Sequence, residues 1–195
     1  MKKLLFVLML CCWGFKTRAQ DSLAMFNHDC EQIKQTGMAI LGTWSVINIT
    51  SGFIASAHNT GATKYFYQMN DIWNIVNLAA AISGQISANR DINKPLSAQQ
   101  SLKQQRKIEN IFLVNGGLDL IYIGAGVYLN QRGNNDNSDK LKGYGSSIIL
   151  QGAFLLLFDA TMYSTERHNG NGMRRLLQKT NIGFNGKQLG MSITF

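Results

Sequence analysis

The sequence predicts an all-α protein in which four transmembrane helices form a bundle with a polar interior. Only 15% of the 195 residues are charged, whereas a soluble domain usually carries about 25%. The charged residues lie mainly between long apolar stretches, as in proteins that cross a membrane several times. Each apolar stretch is about 20 residues long, which suffices to cross the hydrocarbon core of a bilayer. Each also carries one line of polar side chains at helical spacing.

The N-terminus has the composition of a cleaved signal peptide. Two lysines precede the apolar run 4–13, and residues 17–19 (TRA) have small side chains at the two positions that a signal peptidase recognises. We expect cleavage after Ala19, which leaves an exported segment, residues 20–36, in front of the membrane domain. Four of the 19 basic residues lie in the signal segment, residues 1–19, so cleavage lowers the formal net charge from +8 to +4.

The first two predicted helices cover residues 37–57 and 66–88. Asn59 and Gly61 follow the first helix as a termination signal. In the second helix, amide side chains interrupt the apolar run QMNDIWNIVNLAAAISGQI (68–86). Their helical spacing places them on one face, and an unpaired amide in lipid costs several kcal/mol. We therefore expect this polar face to point into the bundle.

The third and fourth predicted helices cover residues 108–130 and 144–163, and with them the membrane domain extends over 37–163. The polar segment 97–110 (SAQQSLKQQRKIEN) is expected to form an exposed helix that leads into the third span. Between the third and fourth helices, residues 132–140 (RGNNDNSDK) are rich in asparagine and contain a glycine. This composition predicts a flexible turn.

Polar side chains recur on one face of every predicted helix, and we expect these faces to meet inside the bundle. Asp119 and Asp159 are the leading candidates for a ligand or ion site, because ionisable groups deep in apolar segments usually have a function. A buried pair of carboxyl groups can bind a cation or relay protons, but a protonated aspartate can also simply hold two helices together. The amides that would complete an oxygen-rich lining are Asn48, Asn74, Asn77, Asn115 and Gln151.

The two halves of the membrane domain show a faint repeat. The segments 42–52 (GTWSVINITSG) and 116–126 (GGLDLIYIGAG) begin and end with glycine at the same separation. The pattern indicates two repeated helical hairpins, which would have parallel orientations because each half contains an even number of spans. A chance match is the alternative explanation.

Three segments of the membrane domain carry a resemblance to other proteins. They are YFYQMNDIWNIVNL (65–78), KIENIFLVNGGLDLIYIGAGVYL (107–129) and LKGYGSSIILQGAFLLLFDATMY (141–163). With an asparagine-rich second helix, Gly-Leu-Asp in the third, and Leu-Gln-Gly with Phe-Asp in the fourth, the chain resembles uncharacterised, exported, four-helix membrane proteins of Bacteroidota. The resemblance covers about residues 37–163. It implies a helical membrane domain of unknown function in the cell envelope, without an activity, a cofactor or a site.

Other kinds of site find little support in the sequence. The three histidines, His28, His58 and His168, lie outside the predicted spans, and no HExxH or CxxC pattern occurs, so we expect no metal site and no cofactor. Signatures of nucleotide binding and serine hydrolysis are also missing, which argues against an enzyme. After signal cleavage Cys30 is the one remaining cysteine, so no internal disulfide can form. The modest net charge argues against a nucleic-acid partner.

The predicted location is a membrane, and the sequence gives conflicting indications of which one. Helical spans indicate the inner membrane. With an exported N-terminus, however, most basic residues would lie outside, in the connection 90–107 and the C-terminal tail 164–195, opposite to the usual preference. The tail ends in QLGMSITF (188–195), whose alternating apolar residues and terminal Phe195 resemble the closing strand of an outer-membrane barrel. The outer membrane is therefore the alternative location.

The sequence is compatible with two functions. In the first, the chain is an integral membrane protein that binds or transports a small solute or an ion through the polar interior of the bundle. In the second, it is a structural or assembly subunit of the cell envelope that needs no ligand. The expected partners are the lipid bilayer and either a protein partner or a second copy of the chain.

Overall fold

The computed structural model describes the backbone of residues 2–184 and 189–193 and the side chains of residues 22–175. This part of the chain forms four helices in up-and-down order, followed by a two-stranded hairpin. The elements are α1 (Lys2–His58), α2 (Gly61–Asp91), α3 (Ala98–Asn135), α4 (Asp139–Lys179), β1 (Thr180–Phe184) and β2 (Leu189–Ile193). The helical part of the predicted fold class is confirmed.

The helices are longer than the hydropathy pattern predicts, because that pattern marks only the part of a helix that is apolar enough for lipid. The exposed helix predicted over 97–110 is present as the first turns of α3. Ser97 caps it: its hydroxyl oxygen accepts a hydrogen bond from the backbone nitrogen of Gln100 at 3.4 Å, and its own backbone nitrogen donates to Oε1 of Gln100 at 2.9 Å. This reciprocal capping box allows a polar sequence to start a helix.

The flexible turn predicted over residues 132–140 is wrong for most of its length. The helices α3 and α4 continue into this segment from both sides, so only residues 136–138 connect them. Asn137 has a φ of 52°, a left-handed conformation that asparagine adopts more readily than most residues. A single asparagine in this conformation therefore replaces the longer turn that the composition suggested.

The four helices do not pack as a symmetric bundle. The helices α1, α2 and α4 pack against one another, whereas α3 packs almost entirely on α4. The backbones of α2 and α3 hardly approach each other, and their main side-chain contact is an edge-to-face pair of Trp73 and Tyr122, with ring centroids 5.0 Å apart. This arrangement leaves a lateral opening between α2 and α3.

Glycine residues allow α3 and α4 to approach closely. A methyl group on Gly126 would lie 2.9 Å from the carbonyl oxygen of Gly145. A methyl group on Gly145 would collide with the backbone nitrogen of Asn130. Small residues at such crossings let membrane helices pack through their backbones. The same close packing holds the polar side chains of α3 against α4.

The distribution of polar and apolar side chains is inverted relative to that of a soluble protein. The largest fully buried side chains are polar: Gln105, Gln151, Glu166, Asn74, Ser45 and Ser147. Large apolar side chains such as Phe53, Ile75 and Ile121 are instead well exposed. In water this distribution would leave much apolar surface uncovered, but in a bilayer it places apolar groups in lipid and polar groups on each other.

Within residues 22–175, three helical segments are long and apolar enough to cross a membrane. They are Ser22–His58, Ala98–Asn135 and Asp139–Arg175, with 37, 38 and 37 residues. About 20 residues suffice for one crossing, so each segment has a remainder that can extend beyond the hydrocarbon core. These segments and the outward apolar side chains support a membrane location, and they do not distinguish one membrane from another.

The strand-like tail corresponds to β2, which pairs with β1 in antiparallel register from Thr180↔Ile193 to Phe184↔Leu189. Phe195 lies outside the described residues. Residues 2–21 are described by their backbone alone, as the first part of α1. The expected signal cleavage after Ala19, and the division of the chain into segments 1–19, 20–36, 37–163 and 164–195, stay predictions.

Candidate functional site

A network of side-chain hydrogen bonds, here called the amide network, joins α1, α2 and α4. The indole nitrogen of Trp44 donates to Oε1 of Gln151 at 3.2 Å, and Nε2 of Gln151 donates to Oδ1 of Asn70. Asn70 in turn donates from Nδ2 to Oδ1 of Asn48 at 3.1 Å. Asn70, Asn74 and Gln151 are buried. Asn70 and Gln151 are therefore bonded across helices, as predicted for the amides, whereas Asn74 bonds within α2 and Nδ2 of Asn77 has no partner among the described residues.

Asp119 of α3 and Asp159 of α4 form a second polar centre, the aspartate pair. They are 3% and 5% exposed, and their carboxyl groups are within hydrogen-bonding reach of each other. Two carboxyl groups can form such a bond only when one of them carries a proton to donate. Glycines on both helices permit this approach, since a methyl group on Gly152 would lie 3.2 Å from the carbonyl oxygen of Asp119.

The aspartate pair lies in the lining of a cavity of about 630 Å³ between α2 and α3, here called the α2–α3 cleft. Its walls are mainly apolar and include Ile72, Val76 and Phe112, and its lining also contains the ring pair of Trp73 and Tyr122. Ligand pockets commonly have volumes of about 300–1,000 Å³, apolar walls and a few polar groups. The α2–α3 cleft has the size and composition of such a pocket.

Two buried polar atoms in the lining of the α2–α3 cleft have no hydrogen-bond partner among the described residues. They are Nδ2 of Asn77, a donor, and Oδ2 of Asp119, an acceptor. A buried polar atom without a partner costs about 1–3 kcal/mol. The lining of the cleft therefore contains one buried donor and one buried acceptor without partners, beside a carboxyl pair that carries negative charge when it holds a single proton.

The seven candidate site residues predicted from the sequence do not all lie together: some line the α2–α3 cleft and others belong to the amide network. Asn77, Asn115, Asp119 and Asp159 line the α2–α3 cleft. Asn48 and Gln151 belong to the amide network that joins α1, α2 and α4. Asn74 is absent from the cleft lining and donates to the backbone oxygen of Asn70 at 2.8 Å. A single oxygen-rich lining formed by all seven residues is therefore not what the fold contains.

The expected inward position of Asn115 is wrong, because Asn115 is exposed at the rim of the cleft. It shares a helical face with Asp119 by spacing, but α3 packs almost entirely on α4, so only part of that face is covered. The predicted site residues do not include Asn70, which has a central position in the amide network. The periodic amides of α2 could have indicated it, since Asn70 begins that line.

A third polar centre lies between α1, the first turns of α3 and the C-terminal part of α4. The sequence patterns did not predict it. Glu31, Glu109 and Glu166 are all buried there and are called the acidic cluster. Glu109 accepts from Arg174 at 2.9 Å, and Glu31 pairs with Lys34 at 3.1 Å. Both carboxyl oxygens of Glu166 lack a hydrogen-bond partner among the described residues.

The described residues contain no group of three or more histidine, cysteine, aspartate or glutamate side chains arranged to hold a metal ion. The three histidines are exposed. Cys30 is buried, and its sulfur accepts a hydrogen bond from Nδ2 of Asn169 at 3.3 Å. This environment suits a packed side chain more than a reactive thiol, because burial disfavours the thiolate.

The comparison with known proteins adds a family but no activity. No curated protein and no solved structure matches the chain. A family model described as a family of unknown function, DUF6992, matches residues 40–160, a range that contains the amide network and the aspartate pair. The match covers more than half of the chain, and the chain therefore belongs to this family of unknown function.

Proposed function

We propose that the protein is an integral membrane protein whose α2–α3 cleft binds a small organic cation at the aspartate pair. The observation that carries the proposal is the buried carboxyl pair, Asp119 and Asp159, in the lining of an apolar cleft. When the two groups share one proton, the pair has a net negative charge in surroundings of low dielectric constant. A cation is its natural complement, because charge interactions strengthen where water is excluded.

The apolar walls favour an organic cation over a bare metal ion. A metal ion of the Ca²⁺ type takes about six to eight oxygen ligands, whereas Ile72, Val76 and Phe112 in the cleft walls offer none. An ammonium group with an apolar body would place its charge on the carboxyl pair and its body against these side chains. The rings of Trp73 and Tyr122 provide a further surface on which cations bind.

The proposal includes α2 as a fourth transmembrane helix. Its most apolar stretch is less apolar than those of the other three helices, since it contains the buried amides Asn70, Asn74 and Asn77. Its side chains that point outward, away from the cleft, are nevertheless apolar: Ile75, Ile82 and Ile86 are all more than half exposed. The buried amides face other helices, so a lipid environment fits the outer surface of α2.

Binding of tetraphenylphosphonium, a hydrophobic cation, to the purified protein in lipid nanodiscs tests the proposal. Asp119→Asn/Asp159→Asn removes the negative charge and keeps the shape of both side chains, so we expect at least a tenfold loss of affinity, or about 1.4 kcal/mol. Asp139→Asn is the matched control, because Asp139 lies on the exposed first turn of α4. Equal binding by the double variant and the wild type would refute a cation site.

A second function, a structural or assembly subunit, is supported by the amide network. Its bonds join three helices through Trp44, Asn70 and Gln151, and no ligand is needed to satisfy them. Under this alternative, a protein partner co-purifies with the wild type from mild detergent, and Asp119→Asn/Asp159→Asn mainly lowers the thermal stability. Retention of a partner together with loss of cation binding would instead favour the first function.

A further inference from the structure

A second groove runs along α3 beside its basic first turns, and it is called the basic groove. It has a volume of about 790 Å³ and is lined by residues 99–115 of α3. Lys103, Arg106 and Lys107 form its polar part, and Ile111 and Val114 form its apolar part. From Lys107 to Val114 a helix rises by about 10 Å, so cationic and apolar surfaces follow each other directly.

Among the described residues, the three cations of the basic groove have no ion-pair partner. Lys103, Arg106 and Lys107 are exposed, and no carboxylate of the described residues lies within ion-pair distance of them. Glu109 is the single acid between Ala98 and Asn115. It is buried and bound to Arg174, so it does not neutralise the groove.

Four other cations at this end of the bundle are paired with carboxylates, whereas Arg167 and Arg175 of α4 are exposed and have no ion pair among the described residues. Arg90 donates to Asp91 at 3.2 Å, and this hydrogen bond holds the pKa of Asp91 below its usual value. Lys34 is paired with Glu31, and Arg174 with Glu109. The unpaired positive charge at this end therefore lies on the face of α3 that forms the basic groove and on Arg167 and Arg175 of α4.

The basic groove is continuous with the α2–α3 cleft. Ile111 and Asn115 line both, and the shared part lies where the outward side chains of α3 become apolar. A molecule with an anionic head and a long apolar chain could thus place its head on the cations and its chain along Ile111 and Val114 towards the cleft. Lysine and arginine near the end of a membrane helix interact favourably with anionic lipid headgroups.

We propose that the basic groove binds an anionic phospholipid, with its phosphate on Lys103, Arg106 and Lys107 and one acyl chain along Ile111 and Val114. Charge complementarity selects the anionic headgroup, and the directly adjoining apolar surface selects a lipid over a free phosphate. The proposal does not depend on the cation site, because the cations of the groove and the aspartate pair are different residues. A protein, nucleic acid or second copy of the chain in the groove would contradict it.

Native mass spectrometry of the detergent-purified protein, titrated with phosphatidylglycerol or phosphatidylcholine of the same chain length, tests this proposal. We expect at least tenfold tighter binding of phosphatidylglycerol. Each basic residue contributes about 1 kcal/mol, or about fivefold in affinity, so Lys103→Gln/Arg106→Gln/Lys107→Gln should weaken phosphatidylglycerol binding on the order of 100-fold. Its binding of phosphatidylcholine should not change.

The matched control is Lys64→Gln/Lys140→Gln/Lys142→Gln, which removes the same number of charges near the opposite end of the bundle. It should retain phosphatidylglycerol binding within about twofold, because none of these residues lines the groove. Glycerol 3-phosphate and inorganic phosphate at millimolar concentration should not displace the lipid. Displacement by either would overturn the part of the proposal that assigns an acyl chain to the groove.

Two further results would overturn the proposal. One is equal affinity for phosphatidylglycerol and phosphatidylcholine. The other is an equal loss of phosphatidylglycerol binding in the groove variant and the control variant, which would indicate a general charge effect. If the groove variant does not fold, the salt dependence of phosphatidylglycerol binding to the wild type tests the proposal instead. Binding to three cations must weaken as salt screens the charges, so binding that does not change with salt would overturn it.

Discussion

At the scale of single residues, Asn70 holds the amide network together. Its Oδ1 accepts from Gln151 and from Nδ2 of Asn74, the latter at 3.4 Å, and its Nδ2 donates to Asn48. One short side chain on α2 thereby contacts polar groups on α1 and α4. An apolar residue at this position could fill the space, but it would leave amides on two neighbouring helices without partners.

Replacing Gln151 by leucine should destabilise the protein. The substitution keeps a side chain of similar size and leaves Nε1 of Trp44 without its acceptor, together with an unpaired lone pair on Asn70. We expect a loss of about 1–3 kcal/mol, measured by thermal unfolding in detergent. Gln131→Leu on the exposed end of α3 is the control and should have little effect. An unchanged unfolding temperature for Gln151→Leu would contradict a stabilising role of the network.

Glu166 differs from the hydrogen-bonded amides Asn70 and Gln151. Its carboxyl group is fully buried and has no hydrogen-bond partner among the described residues. Glu31 and Glu109 are its acidic neighbours, and Lys34 is the nearby cation. An ionised carboxylate without a partner is costly to bury. The native state therefore gains little from this charge.

Glu166→Gln should raise the free energy of unfolding by about 1–3 kcal/mol at neutral pH, because it replaces a carboxylate that is costly to bury without a partner by a neutral amide of the same shape. The gain should increase as the pH rises, because only the ionised form of Glu166 is strongly penalised and glutamine never ionises. Unfolding in detergent at pH 6 and pH 8 measures the effect. A variant that is less stable than the wild type at both pH values would show that Glu166 has a partner.

At the scale of elements, the two helical hairpins α1–α2 and α3–α4 use glycines at corresponding positions. Gly42 and Gly52 of α1 face Ala81 and Asp71 of α2. Gly116 and Gly126, at the same separation in α3, face Asp159 and Gly145 of α4. Both hairpins therefore pack through small residues on their first helix. This agrees with the faint repeat in the sequence, and a duplication of the hairpin stays a prediction.

Gly145→Ala should separate α3 from α4. Its methyl group would meet backbone atoms of Asn130 and Gly126, which cannot turn away as a flexible side chain can. Overpacking of this kind costs about 1–3 kcal/mol, measured by thermal unfolding. Gly124→Ala is the matched control, because nothing lies within 4 Å of the added methyl group. Equal stability of the two variants would refute the close helix crossing.

At the scale of the whole molecule, the inverted placement of polar and apolar side chains is the main support for a membrane protein. Polar side chains are buried at three centres, and large apolar side chains cover the outer surface of all four helices. The least certain span by composition is α2, whose amides are inward. Its topology can be measured directly, because the short connections at its two ends would lie on opposite sides of the membrane if α2 crosses it.

Single cysteines at Asn59 and Lys94 test this topology. Asn59 lies in the connection before α2 and Lys94 in the connection after it. In a background without Cys11, Cys12 and Cys30, we expect a membrane-impermeant maleimide to label one of the two positions in sealed vesicles and the other only after permeabilisation. Labelling of both positions from the same side would exclude a membrane-crossing α2.

The sequence by itself predicted the helices and the inward polar line on α2, because period and hydropathy are local properties of the chain. It also predicted a helix over residues 97–110, which forms the start of α3. Only the tertiary structure decided that α3 packs almost entirely on α4, which exposes Asn115, opens the α2–α3 cleft and pairs Asp119 with Asp159. The acidic cluster likewise depends on which helix faces meet. Long-range packing between helices sets these contacts, and no spacing within a single helix encodes it.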